Sequence, residues 1–196
     1  MVSSLFASTA TILVVVLVAS LLLVGLFALW VYNSLVVRRN RIANALAQVE
    51  VQIQRRLDLV PNLVETVKGY ATHESSTLQN VVEARQRVVA AKSQGGAGAQ
   101  VAADFGLTSA LKSLFAVAEQ YPDLKANANF QQLQSQLEET EDKISYMRQS
   151  FNDTVMDYNN RLQVFPANVF ANMFGFEPHV SYAADPGAQQ APRVDF

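Results

Sequence analysis

The chain of 196 residues has no cysteine, two histidines and an uncharged opening stretch from Met1 to Val37. Without cysteine there can be no disulfide, no thiol nucleophile and no cysteine-ligated zinc. The histidines, His73 and His179, stand far apart and neither belongs to an HExxH pattern, so metal-assisted hydrolysis has no foothold. No GxxxxGK[ST] or GxGxxG occurs. Gly95-Gly96-x-Gly98 comes closest. It joins two predicted helices and lacks the preceding strand that shapes a phosphate-cradling loop, so it reads as a turn. These absences predict a chain with no cofactor, no metal and no enzymatic centre.

The uncharged stretch contains ATILVVVLVASLLLVGLFALWVY, residues 10–32. About 20 apolar residues are what a helix needs to cross a bilayer core. A cleaved signal peptide would carry a basic segment ahead of a shorter apolar run and a small-x-small exit. Here no Lys or Arg precedes the run, and it ends in Trp30-Val31-Tyr32, aromatic rings of the kind that sit at headgroup level. A buried core helix would need a second segment of similar hydrophobicity to cover it, and there is none. Arg38, Arg39 and Arg41 follow the run, and basic residues flanking a span stay on the cytoplasmic side. The expected topology is a short extracytoplasmic N-terminus (1–9), a transmembrane helix (10–32), a cytoplasmic helical body (33–176) and a disordered tail (177–196). The expected location is a membrane, with the body on its cytoplasmic side.

Charge is segregated along the body. Residues 38–56 carry a net +4, residues 57–118 a net of zero and residues 119–196 a net −6. A basic neck and an acidic distal part suit a protein held near an anionic leaflet. They do not suit nucleic-acid binding, which wants a broad basic face.

Helix-forming residues dominate the body, and strand-like alternation is absent. Ile42, Leu46, Val49, Ile53 and Leu57 form one apolar stripe that can continue the spanning helix. Pro61 predicts a break and a second helix over 61–92, with Leu63, Val67, Tyr70, Leu78, Val81 and Val88 on its stripe. Residues 93–99 read as a loop and 102–120 as a third helix. A fourth helix over 126–165 carries Phe130, Leu133, Leu137, Thr140, Ile144, Met147, Phe151, Val155, Tyr158, Leu162 and Phe165 at coiled-coil-like steps. The fold class is therefore all-α: an N-terminal transmembrane helix followed by an elongated up-and-down bundle of about four helices.

Charged clusters admit structural readings. Consecutive acids on a helix diverge by about 100° each, so Glu138, Glu139, Glu141 and Asp142 read as a solvated face with a Glu139–Lys143 pair. In Arg55-Arg56, Arg56 reads as stabilising a helix end or pairing with an acid of a neighbouring helix, with a binding role as the alternative. Asp58, Pro61, Asn62 and Glu65 fall at one predicted helix junction. Tyr121, Pro122, Asp123 and Asn127 fall at another. Both sets suit capping or, alternatively, a partner surface.

Three stretches carry a family resemblance. Asn33-Ser34-Leu35, RRLDLVPNLVETVKGYATHE from Arg55, and AEQYPDLKANANFQQLQSQLEETEDKISYMRQSFNDTVMDYNNRLQVFPANVFANMFGF resemble the LemA family of bacterial single-pass membrane proteins. The ending Arg193-Val194-Asp195-Phe196 resembles the V-x-F terminus common there. The resemblance covers roughly residues 32–177 and the terminus. It implies a single membrane helix, a helical bundle, no enzyme activity and no cofactor. By genetic association it implies a membrane zinc metalloprotease as one partner class. The expected role is a membrane-anchored scaffold or adaptor that contacts proteins or copies of itself. The alternative is a membrane-surface organiser that self-assembles or binds anionic lipid through Arg38, Arg39 and Arg41. Val194 and Phe196 are either a docking terminus or a frayed end.

Overall fold

The computed structural model describes residues 2–71, 73–94 and 97–182. Val194 and Phe196 lie outside the described residues. Among the described residues the chain is all-α, with six helices in the order α1 (Val2–Lys68), α2 (Ser75–Ser93), α3 (Ala97–Ala118), α4 (Pro122–Lys125), α5 (Ala128–Gln163) and α6 (Ala167–Met173). It divides into two compact units. One holds Met1–Ile42 with Thr154–Val180, and the other Ala43–Asp153 with Ser181–Phe196.

The larger unit is the bundle, and cross-helix bonds give its directions. Arg85 of α2 lies at Leu57 of α1, and Lys92 at Gln54, so α2 runs back along α1. Asp104 of α3 meets Arg148 of α5, and Phe115 packs edge-on against Phe130 at 6.2 Å, so α5 runs back along α3. The core draws on the stripes expected from the sequence, Val49, Ile53, Leu57, Leu63 and Val67 from α1, Leu78, Val81 and Val88 from α2 and Phe130, Leu137 and Ile144 from α5, and α3 supplies Leu107, Leu111 and Leu114.

The expected break at Pro61 does not occur. α1 continues through it to Lys68, and the turn falls at Gly69-Tyr70 instead. Proline cannot donate to the carbonyl four residues back, which here belongs to Leu57. Nε of Arg85 donates to that oxygen at 2.8 Å and replaces the missing bond. The proline ring itself is exposed. Asp58, Pro61, Asn62 and Glu65 are therefore interior helix residues, not a junction. Tyr70, assigned to a buried stripe, is 44% exposed. The glycine-rich connection is also shorter than expected, since α2 ends at Ser93 and α3 begins at Ala97.

In the smaller unit, α1 carries the apolar run. Ile12 to Leu26 are exposed along it, while Val31 and Leu35 are fully buried. α5 ends at Gln163, two residues before Phe165, which stands 77% exposed and off the seam. α6 closes with a Schellman turn. Gly175 takes φ +70°, its N–H donates to the Asn172 carbonyl at 3.2 Å, and the Phe176 N–H donates to that of Ala171 at 3.0 Å. The turn returns Phe176 to α1, where its ring meets Tyr32 at 5.7 Å.

The expectation of disorder from Glu177 onward does not hold for the first residues of that tail. In the smaller unit the Tyr158 hydroxyl donates to the Glu177 carbonyl, and the Asn159 amide pairs with both backbone groups of His179 at 2.8 and 3.0 Å. In the larger unit Asn152 pairs with Tyr182 in the same way, and the Tyr182 ring stacks on Phe151 at 4.3 Å. Composition alone misses this, because a side-chain amide offers an extended backbone the same donor and acceptor that a neighbouring strand would.

If Arg85 substitutes for the bond that Pro61 cannot make, Arg85→Met should cost about 1–3 kcal/mol. In a Pro61→Ala background, where the helix bond to Leu57 can re-form, the same change should cost clearly less. A double-mutant cycle by thermal unfolding in detergent checks this, and equal costs in both backgrounds would assign Arg85 another role.

Candidate functional site

The chemistry-bearing residues of the bundle converge on Arg56. It occupies a core position of α1, in the series Val49, Ile53, Arg56, Val60, Leu63, and is 1% exposed. Its Nη1 donates to Asp104 Oδ1 at 3.0 Å and to Thr108 Oγ1 at 2.9 Å, both on α3. Its Nη2 bonds Glu141 Oε2 on α5, and the Thr108 hydroxyl donates to the same oxygen at 3.1 Å. The second oxygen of Asp104, itself 0% exposed, takes Arg148 of α5. The Arg148 guanidinium lies over the Phe105 ring at 4.4 Å. Two cations and two anions thus neutralise one another across three helices.

Burial pushes the Asp104 carboxyl above its ordinary value of 3.8; Arg56 and Arg148 pull it down, and Glu141 adds to the rise. The buried carboxylate is bonded to both guanidinium groups and has no free edge for general-base work. Among the described residues, no three His, Asp or Glu side chains gather to hold a metal. A cavity of about 280 Å³ opens beside Arg56 and Thr108. Leu111, Phe115 and Leu137 give it an apolar lining, and Lys112, Glu138 and Asp142 also border it.

The remaining sequence-predicted residues are scattered. Arg55 is exposed at 3.8 Å from Glu139, which also bonds Lys143 as expected. Asp58 accepts from Gln54 at 2.9 Å, and Glu65 is exposed. Asn62 borders a shallow groove with Thr66, Asn129, Gln132 and Gln136. Asn127 caps α5, its Oδ1 accepting from the N–H groups of Asn129 and Phe130 at 2.9 and 3.1 Å, while its amide donates to the Tyr70 hydroxyl. Tyr121 donates to Glu74 at 3.1 Å, Pro122 opens α4, and Asp123 sits in its first turn. Of the neck arginines, Arg38 pairs with Asp157, Arg39 lies over the Phe176 ring at 5.7 Å, and Arg41 is exposed.

Glu141 belongs to the buried cluster, not only to a solvated face. Asp104, Thr108 and Arg148 escaped the sequence reading altogether. One signal was available: Asp104, Leu107, Leu111 and Leu114 follow one stripe, so the aspartate stands on the apolar face of α3.

The chain matches the LemA family profile over residues 45–196. It belongs to the LemA family. It is 30% identical over 169 residues to "Magnetosome protein MamQ 2" of Paramagnetospirillum magneticum, an alignment covering 74% of this chain and 62% of that protein. It is 28% identical over 186 residues to "Magnetosome protein MamQ" of Magnetospirillum gryphiswaldense, covering 83% and 68%. To "Protein LemA" of Metamycoplasma hominis it is 25% identical over 140 residues, covering 71% and 63%. The chain thus spans 62% of the length of the first curated relatives it matches. In this LemA-family chain the matched region begins within α1, takes in the whole charge cluster and reaches Phe196.

Removing one partner of a buried ion cluster leaves an uncompensated charge. Arg56→Met should therefore destabilise the bundle by about 3–5 kcal/mol, and adding Asp104→Leu, Glu141→Leu and Arg148→Met, which removes the whole cluster, should recover most of that loss. Thermal unfolding of the single and quadruple variants checks this. A carboxyl with a raised folded pKa holds its proton more tightly in the folded chain. Its contribution to stability is full below the ordinary value and falls as pH rises through the folded one. Relative to Asp104→Asn, which does not titrate, the native chain should lose stability as pH rises from 3.8. The opposite slope in paired pH melts would show that the two arginines outweigh burial.

Proposed function

We propose that this LemA-family chain is a non-enzymatic, membrane-anchored scaffold or adaptor that works through protein contacts at the cytoplasmic face of the inner membrane. The observation that carries the reading is α1. The same helix holds an exposed apolar run and, further along, the buried stripe of the bundle. α3 is also long and apolar enough to cross a membrane, but it holds the buried Asp104 and supplies core residues. The mutual neutralisation of Arg56, Asp104, Glu141 and Arg148 supports a structural use of these charges over a catalytic one.

The domain plan keeps residues 1–9 outside, 10–32 in the bilayer and the bundle in the cytoplasm, by the retention of Arg38, Arg39 and Arg41. Lipid recruitment by those arginines is the weaker reading, because Arg38 and Arg39 already have partners within the chain. The proposed protein contact is the groove bordered by Asn62, Asn129, Gln132 and Gln136, an uncharged amide surface suited to hydrogen bonding. A metalloprotease as partner rests on family resemblance alone.

A C-terminal alkaline phosphatase fusion should be inactive and a fluorescent protein fusion bright. A photocrosslinking residue at Gln132 should give a discrete protein adduct in native membranes that is lost on adding Asn62→Arg. An active phosphatase would reverse the topology, and no adduct would remove the contact surface.

A further inference from the structure

The segment from Leu162 to Phe176 has no ionisable side chain and contains four of the chain's eleven phenylalanines. It ends α5 and includes α6. One side of it packs in the smaller unit, where Ala167 and Ala171 are 1% exposed. The other side is bare: Phe165 is 77% exposed, Met173 65%, Val169 55% and Phe174 40%. Large apolar side chains clustered in this way mark a surface that meets something other than water.

Ring contacts give the depth of that surface. Phe170 of α6 meets Phe27 of α1 edge-on at 5.6 Å, and Phe174 meets Tyr32 at 5.3 Å. Phe27 lies five residues inside the apolar run from Tyr32, which is roughly 7 Å along a helix. If α1 spans the bilayer with Trp30 and Tyr32 in the aromatic belt, Phe170 sits below headgroup level and α6 goes with it. The polar boundary is marked as well. The Arg161 guanidinium, just before the uncharged segment, lies over the Trp30 ring at 4.9 Å, a height from which a long cation reaches lipid phosphates.

We propose that α6 and the residues preceding it form a second membrane element, a non-spanning wedge. Its exposed face, Phe165, Val169, Met173 and Phe174, is buried among the lipids of the leaflet from which α1 emerges. The inference rests on the spanning reading of α1. It adds that the chain touches the bilayer at two places far apart in sequence. An amphipathic element lying at the acyl boundary draws its binding from buried apolar area, with cations at the rim.

The chain has no cysteine, so single-cysteine variants of the full-length protein report position cleanly. Val169→Cys and Met173→Cys, both exposed sites, would be labelled with bimane in vesicles of phosphatidylcholine and phosphatidylglycerol containing doxyl-labelled phosphatidylcholine. Leu22→Cys serves as the in-membrane reference and Ser145→Cys as the aqueous one. Circular dichroism confirms that each variant folds. The expected result is quenching at Val169→Cys and Met173→Cys close to that of Leu22→Cys and several-fold above that of Ser145→Cys. Quenching no greater than at Ser145→Cys, with Leu22→Cys quenched, overturns the wedge and leaves the anchor intact. An unquenched Leu22→Cys removes the anchor, and the wedge with it. An unquenched Val169→Cys whose unlabelled form yields disulfide-linked dimers on oxidation overturns the wedge in favour of a second copy covering the face.

Discussion

A guanidinium group with 1% exposure has to be neutralised where it lies, and the bundle is arranged around that requirement. Arg56 enters the core from α1, so α3 must bring Asp104 and Thr108 to it and α5 must bring Glu141. These partners sit at fixed heights on their helices. Sliding α3 or α5 by one turn, about 5.4 Å, would carry Asp104 or Glu141 away from the guanidinium and leave buried charge unpaired. Apolar stripes alone tolerate such slippage, since one leucine resembles the next. Replacing a buried cluster of this kind with apolar residues is often neutral in stability, so the arrangement favours a role in helix register over one in net stability. Its cost is that the buried carboxylate is committed to cations, which removes the most reactive-looking groups of the chain from acid–base use.

The second constraint is the double character of α1. Along one helix the environment changes from fully exposed apolar side chains to a core stripe, and a proline sits within the core portion. A helix survives a proline when the orphaned carbonyl finds another donor. Arg85 supplies it from α2, so the helix that begins in the apolar run reaches Lys68 intact.

Beyond α6 the chain is held by a repeated device. The Schellman turn at Gly175 reverses its direction, and asparagine amides of α5 then clamp the backbone of His179 in one unit and of Tyr182 in the other. Burial pushes the Tyr182 hydroxyl up to about 12, and the Glu50 charge adds to the rise while Arg148 opposes it. The family match, over residues 45–196, extends through this segment.

Helical class, the apolar run, the stripes of α1, α2, α3 and α5 and the cap at Asn127 were legible because each is local. Periodicity and capping depend on residues three or four apart. What escaped depends on partners distant in sequence. Pro61 reads as a break until Arg85 is seen at the freed carbonyl of Leu57. Glu141 reads as a solvated acid until Arg56, eighty-five residues earlier, is placed beside it. The residues after Glu177 read as disordered until Asn152 and Asn159 are found opposite their backbone groups. The sequence by itself therefore determined the long helical segments and most of their apolar faces, since backbone bonding and water set these locally. Only the tertiary structure decided where a helix ends, which charges are buried and which side chains hold the backbone beyond α6. Each of these depends on whether an unsatisfied group finds its complement across the fold.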